Sequence, residues 1–346
     1  MRRLSITLFS LCLASALTAQ TTGSNQSVRL RADNIDEVVS AMTLEEKVHL
    51  VIGCGMSMGS DTKFPGTAGR TYDIPRLGIP SAYLADGPHR LAMAAKREFD
   101  SRTYHATEFP SSTTVAATFN PDAAHKVGRT LGTEVKDYGL DVLLAPGVNL
   151  MRNVLCGRNH EYYSEDPLLT GLCAAADTKG VQSYKGHGTT IKHFAANNQE
   201  DNRMFTNAHI SERALREIYL KGFEIAVKTA QPYAIMTSYN LINGTHAANH
   251  YDMLQNVARD EWGFEGFIMT DWYTSQDTTA LGMVSESGKY SYSDGVQCIK
   301  AGNDLQMPGC RKNVEDIVDG VKNGRITKAD LQRCAKHILG IALKTI

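Results

Sequence analysis

The chain carries almost no excess charge of either sign: 36 basic residues stand against 37 acidic ones, a formal net charge of −1. A surface so balanced has no field to draw in nucleic acid or an anionic membrane, so a neutral ligand is the simpler expectation. The seven cysteines include no C-x-x-C pair, which removes the usual zinc pattern, and no metal or cofactor is expected. Repeats and low-complexity tracts are missing as well. The apolar stretch Leu4 to Leu17 is too short and too interrupted to span a bilayer. With Arg2 and Arg3 before it and Ala19 after, it reads as a signal peptide over residues 1–19, so the mature chain is expected to be periplasmic or secreted. Leu11 stands where a lipoprotein signal needs a small residue before Cys12, so no membrane anchor follows. Export permits disulfides, with Cys298 and Cys310 the nearest-spaced pair, but buried free thiols fit a domain of this size equally well.

What is present is an alternation of short apolar strands and helical stretches. Thr43-Leu44-Glu45-Glu46 forms a capping box opening a helix, and Ser211 can cap a long one striped by Leu215, Ile218, Tyr219, Phe223 and Ala226. A last helix is expected over Lys328 to Lys344. Strands are expected at Ser81 to Ala85, Val142 to Ala145, Thr189 to His193, Ala234 to Ser238 and Phe267 to Thr270, with 56–76 and 90–107 as loops. Such alternation implies parallel strands joined by right-handed crossovers, hence an α/β fold of the (β/α)8 TIM-barrel type, possibly irregular. Less its leader, a chain of 346 residues fits one such barrel of roughly 250 residues or more. Asp86, Lys192 with His193, Tyr239 and Asp271 each fall at a strand end, where barrel enzymes place their chemistry.

Asp271 closes the run Phe267-Ile268-Met269-Thr270 and is followed by Trp272. A rigidly held carboxylate beside an aromatic wall suits a nucleophile in a sugar pocket, although a strand-end Asp also commonly caps a turn. Asp86-Gly87-Pro88 reads as a turn, or as a carboxylate that grips two adjacent hydroxyls. Lys192 and His193, as neighbours, reach one ligand only where a strand ends. Arg158 is a hydroxyl donor or the ion-pair partner of Glu161 or Glu165, and Glu200 with Arg203 can pair and hold a loop. Arg152 is a weaker candidate. The Gly53 to Gly59 run has its third glycine one place late for a dinucleotide loop. His246 and His250 have metal-pair spacing, but Asn243-Gly244 marks a turn and no Glu adjoins the first.

Taken in order, Asp86-Gly-Pro, Cys156-Gly-Arg-Asn-His-Glu-Tyr162, Ser164-Glu-Asp-Pro167, Lys192-His-Phe-Ala-Ala-Asn-Asn-Gln-Glu200, Met236-Thr-Ser-Tyr-Asn240 and Thr270-Asp-Trp272 resemble glycoside hydrolase family 3 from about Met42 onward. The resemblance implies residues 20–346 as the amino-terminal barrel domain of a retaining β-glucosidase. Asp271 would be its nucleophile, and Asp86, Arg158, Lys192, His193, Tyr239 and Trp272 its substrate-binding residues. The substrate would be a β-glucoside or oligosaccharide, with a β-xyloside as the alternative. In multidomain members the acid/base Glu comes from a following α/β sandwich domain, which this sequence does not include and which would dock on the barrel. In single-barrel members a His and Asp dyad follows Lys-His-Phe, where this chain has Ala195 to Gln199. No acid/base is therefore assigned, and a barrel that binds carbohydrate without efficient turnover is the competing expectation.

Overall fold

The computed structural model describes residues 28–55, 63–282, 285 and 288–346. The expected signal peptide, Cys12 and most of the Gly53 to Gly59 run lie outside them. The strands, in chain order, are β1 (Gly69–Arg70), β2 (Tyr83–Asp86), β3 (Val142–Leu144), β4 (Gly188–Phe194), β5 (Asn207–Ala208), β6 (Ala234–Thr237), β7 (Leu241–Ile242), β8 (Thr245–His246) and β9 (Phe267–Thr270). Six of them form one sheet in the order β1-β2-β3-β4-β6-β9, parallel throughout except at β1–β2. Two short segments close this sheet. Leu305 bridges Met269 and Gln306 bridges Ile52, both parallel, and Cys54 bridges Arg70 antiparallel. The bonds Thr270 N to Leu305 O, Gly53 N to Gln306 O and Cys54 N to Arg70 O are each 2.9 Å. Six strands and two bridged segments thus make a ring of eight, an irregular (β/α) barrel.

The strands that carry the site are apolar runs because both of their faces are covered. Every residue of β4, β6 and β9 is buried, between side chains filling the barrel and the helices outside it. Among those helices, Pro121–Asp137 and Pro167–Val181 approach so closely that a Cβ on Gly128 would overlap the Asp177 backbone, and one on Gly180 that of His125. Glycine permits that contact by having no side chain.

Most expected elements appear with their ends moved by a residue or two. β2 runs on to include Asp86, and the last helix is Lys328–Thr345. The Thr43 capping box forms, with Thr43 N donating to Glu46 Oε2 at 2.8 Å and Glu46 N to Thr43 Oγ1 at 3.1 Å. The expected loop at 56–76 is corrected: its described part holds β1 and a 3-10 turn, Pro75–Leu77, because backbone pairing with β2 outweighs the lack of strand-forming side chains. The helix capped by Ser211 contains a π turn, Leu215–Tyr219, before Lys221–Ala230. That insertion rotates the apolar stripe, so Leu220, Phe223, Ala226 and Val227 are buried while Leu215, Ile218 and Tyr219 are only partly so. Asn243 and Gly244, at φ of 50° and 90°, make the tight turn between β7 and β8.

Candidate active site

The carboxyl ends of the strands surround a cavity of about 380 Å³ lined by Asp86, Arg158, Lys192, His193, Tyr239, Asp271 and Trp272, all seven residues named from sequence. β2 delivers Asp86, β9 ends one residue before Asp271, and β6 ends two before Tyr239. Lys192 and His193 both reach the cavity from within β4, where the pairing with β6 shifts register between Ile191 and Phe194 and breaks the alternation of a regular strand. Arg158 arrives on the loop that ends in the 3-10 turn Asn159–Glu161.

Charges alternate around the pocket. Lys192 Nζ donates to Asp86 Oδ1 at 2.7 Å and lies 4.0 Å from Glu161 Oε2. Arg158 donates to both Glu161 oxygens, from Nε at 2.6 Å and from Nη2 at 3.1 Å, and its Nη1 is 4.0 Å from Asp271 Oδ2. Burial alone would raise the Asp86 carboxyl, but Lys192 overrides it and holds the group below its ordinary value. Glu161 is depressed in the same way, by Lys192 and Arg158 acting against burial. Asp86 still presents 55 % of its side chain to the cavity, so it is ionised and open to hydroxyl donors.

Asp271 differs from Asp86 and Glu161. Its burial outweighs Arg158, Lys192 and Arg203, and the carboxyl is raised above its ordinary value. His193 contributes no positive charge: burial, then Arg158 and Lys192, push its ring well below the usual imidazole range. Its Nε2 stands 3.5 Å from Asp271 Oδ2. Asp271 Oδ1 accepts from the adjacent Trp272 backbone N–H at 2.7 Å and Asp271 O from Thr274 N at 3.4 Å, so Asp271 takes part in a turn while also lining the cavity. Trp272 donates from Nε1 to Ala68 O at 3.0 Å, which fixes its indole as one wall. The Tyr239 phenol faces Asp271 and is raised well above its ordinary value by burial and by that charge. Arg203 lies over the Tyr239 ring at 4.6 Å and pairs with Glu200 at 2.9 Å.

The Glycosyl hydrolase family 3 N terminal domain model matches residues 87–341. The chain belongs to this family. An Exo-alpha-(1->6)-L-arabinopyranosidase of Bifidobacterium longum is 41% identical over 312 residues, covering 89% of this chain and 37% of the relative. Beta-glucosidase B of Emericella nidulans is 39% identical over 312 residues, covering 90% and 33%. The solved structure of beta-glucosidase 3B from Thermotoga neapolitana in complex with glucose superposes with a TM-score of 0.82 at 44% identity, covering 90% of this chain and 43% of that one. The chain thus spans 33% to 37% of the length of these two curated relatives.

Two residues of the candidate site escaped sequence reasoning. Glu161 entered only as a rival partner for Arg158, yet it is 8 % exposed and joins Arg158 to Lys192. Arg203 entered only as a loop brace, yet it lines the cavity. The spacing Arg158 to Glu161 was the available signal for the first. Arg152 lies outside the cavity lining, over the Tyr219 ring at 5.7 Å. His246 has its ring nitrogens on the carbonyls of Tyr239 and Ser291, and Cys298 and Cys310 are free thiols, the first buried and pushed up to about 12. Among the described residues lining the cavity, the carboxyl groups are Asp86 and Asp271.

Proposed function

We propose that this family 3 domain is the nucleophile-bearing part of a retaining glycoside hydrolase acting on terminal β-D-glucosyl units. The observation that carries the reading is a buried carboxylate, Asp271, set in a cavity beside a second carboxylate, Asp86, that Lys192 keeps ionised for hydroxyl recognition. In the reaction, the Asp271 carboxylate bonds to the anomeric carbon while the bond from that carbon to the leaving oxygen breaks and its electron pair stays on oxygen. A proton from an acid neutralises the leaving oxygen. Water then attacks the same carbon, the bond to Asp271 breaks, and the water's proton passes to the base. Asp86 is too well held as an anion to serve as the acid, so the proton donor is assigned to a group outside the described lining. Without it, a rate deficit of about 10²–10⁴-fold is expected on unactivated glycosides.

The beta-glucosidase names among the relatives favour glucose as the bound ring, while the arabinopyranosidase names support a pentopyranoside as the second reading. Stopped-flow mixing with 2,4-dinitrophenyl β-D-glucopyranoside tests the proposal, because this leaving group departs without protonation. A burst of dinitrophenolate of about one equivalent, absent in Asp271→Asn, is expected. The matching α-L-arabinopyranoside and β-D-xyloside rank the ring preference. No burst with any of the three would overturn the hydrolase reading.

A further inference from the structure

We propose that Glu161 is a positioning residue that turns Arg158 onto His193 and thereby keeps both from hydrogen-bonding the Oδ2 atom of Asp271. The proposal rests on the reading of Asp271 as nucleophile and adds the device that keeps it reactive. Glu161 takes the Nε and Nη2 edge of Arg158, and Nη2 also lies 2.8 Å from His193 Nε2. A guanidinium only donates, so Nε2 must accept and the neutral ring carries its proton on Nδ1. That nitrogen then donates to the Tyr162 hydroxyl oxygen at 3.0 Å, whose remaining lone pair is shared by Asn149 Nδ2 at 3.2 Å and Asn197 Nδ2 at 3.0 Å. The His193 nitrogen that faces Asp271 Oδ2 therefore has no proton to give.

Arg158 itself, held by Glu161, reaches no closer to Oδ2 than the 4.0 Å of its Nη1. Oδ2 is consequently a buried oxygen that takes no hydrogen bond from Arg158 or His193, while the Tyr239 phenol bonds the carboxylate. A carboxylate oxygen filled by a charged donor is stabilised as an anion and correspondingly less nucleophilic. Taking away Glu161 releases two Arg158 donors beside that oxygen. The guanidinium is then expected to swing onto Asp271, and His193 to lose the donor that fixes its tautomer. Lys192 keeps its bond to Asp86, so recognition of the ring should change less than the chemical step.

The test compares wild type with Glu161→Gln, which keeps one acceptor but not the paired anion, and Glu161→Asp, which keeps the charge. Nitrogen-15 spectra, with His193 assigned by its loss in His193→Asn, should show Nδ1 protonated and Nε2 bare in wild type and a mixture of tautomers in Glu161→Gln. Inactivation by 2,4-dinitrophenyl 2-deoxy-2-fluoro-β-D-glucopyranoside should slow by about tenfold or more, with half-saturation changed by less than about threefold. Its acid limb should move to lower pH as Arg158 closes on Asp271, against a fixed background of Lys192, Arg203, His193 and Tyr239 around the carboxylate. Glu161→Asp should recover part of the rate. Wild-type inactivation kinetics in Glu161→Gln, or a wild-type His193 protonated on Nε2, would overturn the proposal, and the second readout needs no variant to fold. A wild type that takes no label defeats the nucleophile reading alone, and the nitrogen spectra still decide the role of Glu161.

Discussion

The two ends of β9 each face a buried carboxylate, and the two are treated in opposite ways. At the start of the strand, Asp304 is wholly inaccessible and accepts from Arg259 Nη2 at 2.6 Å, from Ile268 N at 2.8 Å and from His337 Nδ1 at 2.8 Å. Burial pulls its pKa up, but His337, Arg259 and the donated bonds bring it below the ordinary value. Just beyond the end of the strand, Asp271 keeps one oxygen without a hydrogen bond from Arg158 or His193, and burial leaves it raised. A carboxylate whose lone pairs are filled ties elements together; one left under-bonded at a cavity holds its reactivity for a ligand. Asp304 links β9, Arg259 and the final helix, so the strand that presents Asp271 is anchored where nothing reacts.

Removing each carboxylate should separate the two roles. Asp304→Ala leaves Arg259 and His337 without their shared buried partner, and about 3–5 kcal/mol of unfolding free energy should disappear in urea titration. Asp271→Asn removes an under-bonded buried anion and should leave stability unchanged or raise it by about 1 kcal/mol while abolishing covalent labelling. A comparable loss in both variants would erase the contrast.

Asp177 sharpens it from a third position. It is buried between two helices, accepts from the Tyr163 hydroxyl at 2.8 Å, keeps Oδ1 unpartnered and is raised by burial to about 7. The folded chain therefore holds this proton more tightly than the unfolded chain, whose Asp titrates near 3.9. Stability linked to it is full below that value and is lost as pH rises to about 7, a fall on the order of a few kcal/mol. Urea unfolding at pH 5 and pH 8 should show Asp177→Asn gaining on wild type at the higher pH. The smallest effect belongs to the exposed pair Arg213–Glu217, with side chains 85% and 61% accessible, where Glu217→Gln should shift unfolding by less than about 0.5 kcal/mol.

Sequence patterning reached the parallel core because its strands are continuous apolar runs buried on both faces, and it reached the rim residues because each stands at the end of such a run. It did not reach the closure of the barrel. Ile52 and the Leu305-Gln306 segment join the ring through single bridges, too short to leave a period in the sequence. The π turn at Leu215–Tyr219 was likewise hidden, since its residues are ordinary helix formers. At the site, residue identity suggested what Arg158 could hold, but not that Glu161 would join it to Lys192, nor that burial would outweigh the cations around Asp271. Those outcomes depend on depth and on competing partners, which spacing does not encode.

The most direct measurement is peptide mapping by mass spectrometry after incubation with 2,4-dinitrophenyl 2-deoxy-2-fluoro-β-D-glucopyranoside. A single fluoroglucosyl adduct on the peptide containing Asp271, blocked by prior saturation with glucose, is the expected result. An intact Asp271 peptide under conditions where wild type remains folded, or an adduct on another carboxylate, would contradict the account.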